Sequence, residues 1–223
     1  MTSLPKQRIA LALFGCFNPP TFQHLRLFEL ARDWLHKLGG YEVVKGIISP
    51  VHDKYEKKGL IPASHRVAML RLSLETSDWI CLNEWETKQK DWTLTNTVLN
   101  RLQSELDIEY KDNLPIPKVA LLCGADLLQS FSIPGLWATK DVDEILEKFG
   151  IVVISREEID ADKIVYENDQ LSAWYSRIVF VKEWVRHDLS STKIRRCVKR
   201  GESIKYLTSD SVIAYIKEHG LYI

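Results

Sequence analysis

Short apolar runs alternate with amphipathic stretches along the chain. The first run, RIALALFG (residues 8–15), is apolar almost throughout and closes on Gly15, as suits a strand buried on both faces. GCFNPPT then reads as a loop. Thr21 is placed to cap a helix in which Leu25, Phe28, Ala31, Trp34, Leu35 and Leu38 recur at helical spacing, and Gly39 and Gly40 stop it. YEVVKGIIS (41–49) predicts a second strand, and SPVHDKYEKKGLIP an exposed, charged loop. Pro62 opens a second helix through Val67, Leu70 and Leu74. Residues 79–82 predict a short strand and 92–106 a third helix, followed by the proline-bearing loop NLPIPK.

The second half continues the alternation. VALLC is a buried strand ending at Gly124, and a loop then precedes a helix around residues 142–149. GIVVIS (150–155) and RIVFV (177–181) are strands, and helices fall within 190–199 and 209–219. This order predicts an α/β fold, a doubly wound, mostly parallel sheet with helices on both faces. Such sheets bind ligands beyond the carboxyl ends of their strands, which directs attention to 15–24, 49–58, 124–137 and the segment after Val181. Composition shifts abruptly nowhere in the 223 residues, so 1–223 reads as one domain with a C-terminal helical part over 186–223.

At 45% hydrophobic and 27% charged, the composition excludes a disordered or fibrous chain. Thirty basic residues balance thirty acidic ones, which argues against a nucleic-acid coat or a membrane-surface binder. The balance is not local. Residues 186–205 hold seven Lys or Arg against two acidic residues, and 1–28 hold three against none. Residues 140–170 hold four against ten. Cys16, Cys81, Cys123 and Cys197 lie far apart, without C-x-x-C or zinc-site spacing, so a reduced intracellular, soluble chain with no structural metal is expected. No apolar run reaches the ~20 residues of a membrane span. Lys6 and Arg8 ahead of the apolar 9–14, with no acidic residue before Glu29, imitate a weak targeting peptide, but a first strand explains the same residues.

Two common phosphate signatures, G-x-G-x-x-G and G-x-x-x-x-G-K-[ST], are absent, which disfavours a dinucleotide-binding dehydrogenase or a P-loop NTPase. Two other segments have phosphate chemistry. In GCFNPPTFQHL, a glycine turn brings backbone N–H groups close to a ligand, and the following helix aims its N-terminal dipole at the same place. His24 in the first turn can donate to a phosphoryl oxygen as charge develops. In LSSTKIRR, Ser190, Ser191 and Thr192 supply hydroxyls and an N-cap to a helix carrying Lys193, Arg195 and Arg196, a second polyphosphate cradle.

G-x-F-N-P with T-x-x-H resembles the first signature of the nucleotidylyltransferase superfamily, and L-S-S-T-x-x-R its second, with Leu189 in place of Ile. ISPVHDKYEKKGLIPASHR, the stretch around Trp92 and LLCGADLL…GLW extend the resemblance to eukaryotic nicotinamide-nucleotide adenylyltransferases, from residue 8 to Tyr222. That resemblance implies transfer of AMP from ATP to nicotinamide mononucleotide (NMN) or nicotinic acid mononucleotide (NaMN), with Mg²⁺ on the substrate phosphates and a homo-oligomeric assembly. It implies catalytic roles for His24 and Arg195. Gly15, Cys16, Phe17, Thr21, Ser190, Ser191, Thr192, Lys193, Ile194 and Arg195 would meet ATP and its phosphates. Lys57 would meet the mononucleotide phosphate, Trp92 and Trp137 the nicotinamide ring, Thr95 its amide, and Gly124 and Asp126 a ribose. Leu136, Arg156 and His187 would border the nucleotide. Cys16 stands where many relatives carry Ser and His187 where Asn is common, and an insertion between Leu106 and Pro117 is lacking. The nucleus, cytosol and mitochondrion are not distinguished.

Two other readings fit the motifs. One is a superfamily enzyme with a different phosphate acceptor, such as a pantetheine or lipid-precursor phosphate. The other is a nucleotide-binding, chaperone-like protein that does not turn over.

Overall fold

The protein is described by a computed structural model over residues 5–155, 159–185 and 188–223. The described residues form six strands, β1 (Gln7–Gly15), β2 (Tyr41–Pro50), β3 (Ile80–Leu82), β4 (Lys118–Gly124), β5 (Ile151–Ser155) and β6 (Ile178–Lys182). They form one parallel sheet in the order β3-β2-β1-β4-β5-β6. The order reverses at β1 and β4, and both strands end in a glycine, Gly15 and Gly124. This is the doubly wound α/β class that the alternation predicts.

The described helices are α1 (Phe22–Lys37), α2 (Ala63–Ser73), α3 (Thr95–Glu109), α4 (Ala125–Ser130), α5 (Thr139–Lys148), α6 (Ala161–Tyr166), α7 (Asp169–Ala173), α8 (Ser191–Lys199) and α9 (Asp210–Glu218). The 8–15 run is β1, with Ala10, Leu11 and Ala12 wholly buried. Three short helices, α4, α6 and α7, were not foreseen. They span only five or six residues each, less than two turns, so periodicity cannot reveal them. The third helix starts at Thr95 and not at Trp92, because Leu94 is extended (φ −61°, ψ 145°).

The chain divides into two compact units. One comprises Met1–Leu13, Leu27–Gly46 and Leu94–Arg186. In it β1, β4, β5 and β6 pair in parallel, with Leu11 opposite Ala120, Leu121 opposite Ile151 and Val153 opposite Phe180. The middle of β1 and nearly all of β4 and β5 are buried on both faces, which accounts for their unbroken apolar runs, whereas β6 at the sheet edge is only partly buried. The other comprises Phe14–Arg26, Ile47–Thr93 and His187–Ile223. Its core joins Met69 of α2, Ile194 of α8, Ile204, and Val212 and Ile216 of α9. Among the described residues, no helix is long and apolar enough to cross a membrane, and all four cysteines are free thiols.

Candidate active site

The second unit gathers both phosphate motifs. After Gly15 the chain turns sharply, and Phe17 takes a left-handed conformation (φ 46°) with its side chain buried. A Cβ on Gly15 would stand 3.2 Å from the Phe17 ring, so glycine is what lets that ring fold back under the loop. Asn18 anchors the turn. Its Nδ2 donates to the Gly59 carbonyl (2.8 Å), and its Oδ1 accepts from the Tyr222 hydroxyl (2.7 Å). Burial pushes the Tyr222 phenol well above its usual range, so this hydroxyl keeps its proton and stays a donor.

Thr21 immediately precedes α1, and the His24 imidazole folds back onto it. The Thr21 N–H donates to His24 Nδ1 (3.0 Å), and Thr21 Oγ1 lies 2.9 Å from the same nitrogen. The ring packs edge-on against Phe17, centroids 5.0 Å apart.

The second motif closes on the first. Ser190 caps α8, its hydroxyl accepting from the Lys193 N–H. Ser191 Oγ donates to the Pro19 carbonyl (2.7 Å), and Arg195 Nη1 donates to the Asn18 carbonyl (2.7 Å). Arg195 Nη2 reaches Thr192 Oγ1 (3.3 Å). Residues 172 and 177 positions apart thus form one polar surface of amides, hydroxyls and a guanidinium. Lys193 pairs with Asp188, while Ile194 turns its side chain into the core and its N–H donates to Ser190.

Lys57 stands on the exposed loop that follows β2, and Trp92 on the segment before α3, 45% exposed and 6.2 Å from the Tyr55 ring. Sequence reasoning missed Arg66, whose bonds fix the start of the Lys57 loop to the glycine turn. Its side chain is 0% exposed and donates to the carbonyls of Cys16 (3.3 Å), Val51 (2.7 Å) and Ile61 (3.0 Å), and to Asp53 (2.9 Å). Asp53 Oδ1 also accepts the Ala63 N–H (2.6 Å), capping α2, whose own N-cap, Pro62, offers no side-chain bond. Asn18, Tyr222 and Asp53 were also missed. Asn18 and Asp53 stand inside recognised strings, but the partners they bind lie 10 to 204 positions away, and residue type alone does not reveal those bonds.

The first unit places the remaining residues. Thr95 begins α3. Gly124 caps α4, and a Cβ there would meet Asp126 Oδ1 at 2.6 Å, so the aspartate folds over the strand end. Trp137 is held by its indole N–H donating to Ser130 Oγ (3.1 Å) and by edge-on packing against Phe131; Leu136 beside it is exposed. Arg156 and His187 lie outside the described residues.

Among the described residues, no three His, Cys, Asp or Glu gather as metal ligands would. A cradle of cations, hydroxyls and amides suits a divalent cation carried by phosphates and water, not one caged by protein.

The sequence pattern of the cytidylyltransferase-like family matches residues 12–197, and the chain belongs to that family. Within it the chain belongs with the nicotinamide and nicotinic acid mononucleotide adenylyltransferases. It is 43% identical over 256 residues to nicotinamide/nicotinic acid mononucleotide adenylyltransferase 1 of Bos taurus, covering 100% of this chain and 91% of that protein. It is 44% identical over 212 residues to the Oryza sativa enzyme of that name, covering 95% and 85% of the two chains. The fold matches that of Plasmodium falciparum nicotinic acid mononucleotide adenylyltransferase complexed with NaAD, at a TM-score of 0.66, 17% identity and 97% coverage of both chains.

Proposed function

We propose that this protein is a nucleotidyltransferase that moves AMP from ATP to NMN or NaMN, giving NAD or deamido-NAD and diphosphate. The observation that carries the reading is the pair of hydrogen bonds from Ser191 and Arg195 to the Pro19 and Asn18 carbonyls. They unite two motifs of phosphate chemistry within one compact unit. The names of the relatives supply the acceptor, and the family match across residues 12–197 supports one catalytic domain.

The reaction is a direct in-line displacement. A phosphate oxygen of the mononucleotide forms a bond to the α-phosphorus of ATP as the α–β bridging bond breaks, and diphosphate leaves with the electron pair. The protein's task is to position the reactants and neutralise charge. The Nε2–H of His24 and the fork of Arg195 face the negative charge that moves toward diphosphate. The 15–21 turn and the first turn of α8 hold the triphosphate with amides, hydroxyls and Lys193. Lys57 takes the mononucleotide phosphate. Trp92 offers an indole face to the cationic pyridinium, an attraction of about 1–2 kcal/mol when desolvated. Trp137, Leu136 and Thr95 serve the nicotinamide end, and Gly124 and Asp126 a ribose. Mg²⁺ on the phosphates supplies further charge neutralisation. The working form is a soluble intracellular homo-oligomer.

The test is NAD formation from ATP, NMN and Mg²⁺, with NaMN and unrelated phosphate acceptors in parallel. Turnover of a pantetheine phosphate but not of NMN would favour the alternative acceptor class. ATP binding without diphosphate release would indicate a non-catalytic protein.

A further inference from the structure

Three contacts join the loop that carries Lys57 to the segment that carries Trp92, and each spans 37 positions. His52 Nε2 meets the Gln89 carbonyl (3.0 Å), Lys54 Nζ meets Asp91 Oδ1 (2.5 Å), and the Tyr55 ring lies 6.2 Å from the Trp92 ring. They are not equal. Lys54 and Asp91 are 59% and 67% exposed, so water and salt weaken their attraction. His52 is 8% exposed and its bond to Gln89 is part-buried, so water competes with it far less.

The neighbours of the imidazole select its tautomer. The Lys54 N–H donates to His52 Nδ1 (3.0 Å), and a backbone N–H cannot accept, so Nδ1 presents its lone pair. In the neutral ring the proton is therefore on Nε2, where it is donated to the Gln89 carbonyl. The same residue is anchored from below, its N–H donating to Glu86 Oε1 (3.4 Å) while Ser49 Oγ lies 3.5 Å from Oε2.

We propose that His52 is a positioning residue for the mononucleotide: its Nε2–H clasps the Lys57 loop to the Trp92 segment and sets the distance between the ammonium and the indole. This rests on the assignment of Lys57 and Trp92 to the mononucleotide. The ATP cradle is built from residues 15–24 and 190–195 and does not include His52. Loosening the clasp weakens mononucleotide binding and leaves ATP binding unchanged. The acceptor is a main-chain carbonyl, which side-chain substitution leaves in place, so the clasp is a property of the donor at position 52.

Steady-state kinetics of the full chain decide it, with NMN varied at saturating ATP and the reverse. His52→Asn keeps an acceptor for the Lys54 N–H but is too short to reach Gln89. It should raise KM for NMN by about three- to tenfold, the worth of one hydrogen bond. KM for ATP and kcat should stay within about twofold. His52→Gln restores a donor at the distance of Nε2 and should return KM for NMN close to the wild-type value. If the Asn variant does not fold, His52→Leu, similar in size but without polar atoms, takes its place against Gln. An unchanged KM for NMN in both Asn and Leu variants overturns the proposal, as does an equal rise in both KM values with a lowered Tm. Wild-type protein that makes no NAD from NMN overturns the assignment of function instead, so the two failures are distinguishable.

Discussion

The backbone N–H of Thr21 points at Nδ1 of His24 from 3.0 Å. An amide proton can only be donated, so Nδ1 accepts and the neutral ring carries its proton on Nε2. The tautomer that can donate to a phosphoryl oxygen is thus selected by the main chain, three residues upstream. Thr21 Oγ1, 2.9 Å from the same nitrogen, adds to a choice already made.

From this follows a split between two variants. His24→Ala should lower kcat by about 10²–10³, the usual cost of removing one preorganised donor, with a much smaller change in either KM. Thr21→Val keeps the amide and should cost about threefold or less in kcat. Initial rates of NAD formation check both. Similar large losses in the two variants would mean that the hydroxyl, not the amide, governs the ring.

Glu86 should make stability fall as pH rises. It is 3% exposed, and burial raises its pKa from 4.5 to about 7 despite hydrogen bonds from the His52 N–H and Ser49 and the charge of Arg66. A folded pKa above the unfolded one means the native state binds the extra proton between about pH 4.5 and 7. Its contribution is fully present below the unfolded value and is lost as pH rises through the folded one. Glu86→Gln removes the titration, so its stability relative to wild type should increase from pH 5 to pH 8 in urea unfolding. A constant difference across that range would show that Glu86 ionises normally.

Arg66→Met should destabilise the protein by about 3–5 kcal/mol, the range for breaking a buried charge network. Three carbonyls and the Asp53 carboxylate lose a common donor, and α2 loses the rigidity of its cap. The midpoint of urea unfolding reads this directly. A loss under 1 kcal/mol would mean that water replaces the guanidinium.

Gly15→Ala should cost about 1–3 kcal/mol, as overpacking of a well-filled site does. The added Cβ stands 3.2 Å from a Phe17 ring that is 2% exposed and has little room to yield. Displacing that ring also moves the face against which His24 packs, so kcat should fall with the loss of stability.

Much of the fold was legible because it is locally encoded. β1, β4 and β5 are buried on both faces, so each reads as an unbroken apolar run, and the spacing of Leu25 to Leu35 announces α1. The short helices α4, α6 and α7 have too few residues to show a period. Trp92 read as helix because nothing local marks Leu94 as the extended residue before α3. The two phosphate motifs stood out by their residue types, whereas Lys57, Trp92 and Trp137 were visible only through family resemblance.

The sequence by itself determined the α/β class, the two segments proposed to bind phosphate and the concentration of positive charge around them. These are properties of consecutive residues, where backbone geometry and side-chain period act over a few positions. Only the tertiary structure decided that Arg195 holds the Asn18 carbonyl, that Tyr222 holds its side chain, and that His52 reaches Gln89. Each of these bonds joins residues between 37 and 204 positions apart. A hydrogen bond acts over about 3 Å whatever the separation along the chain, so such partners are chosen by the fold and leave no mark in the local pattern.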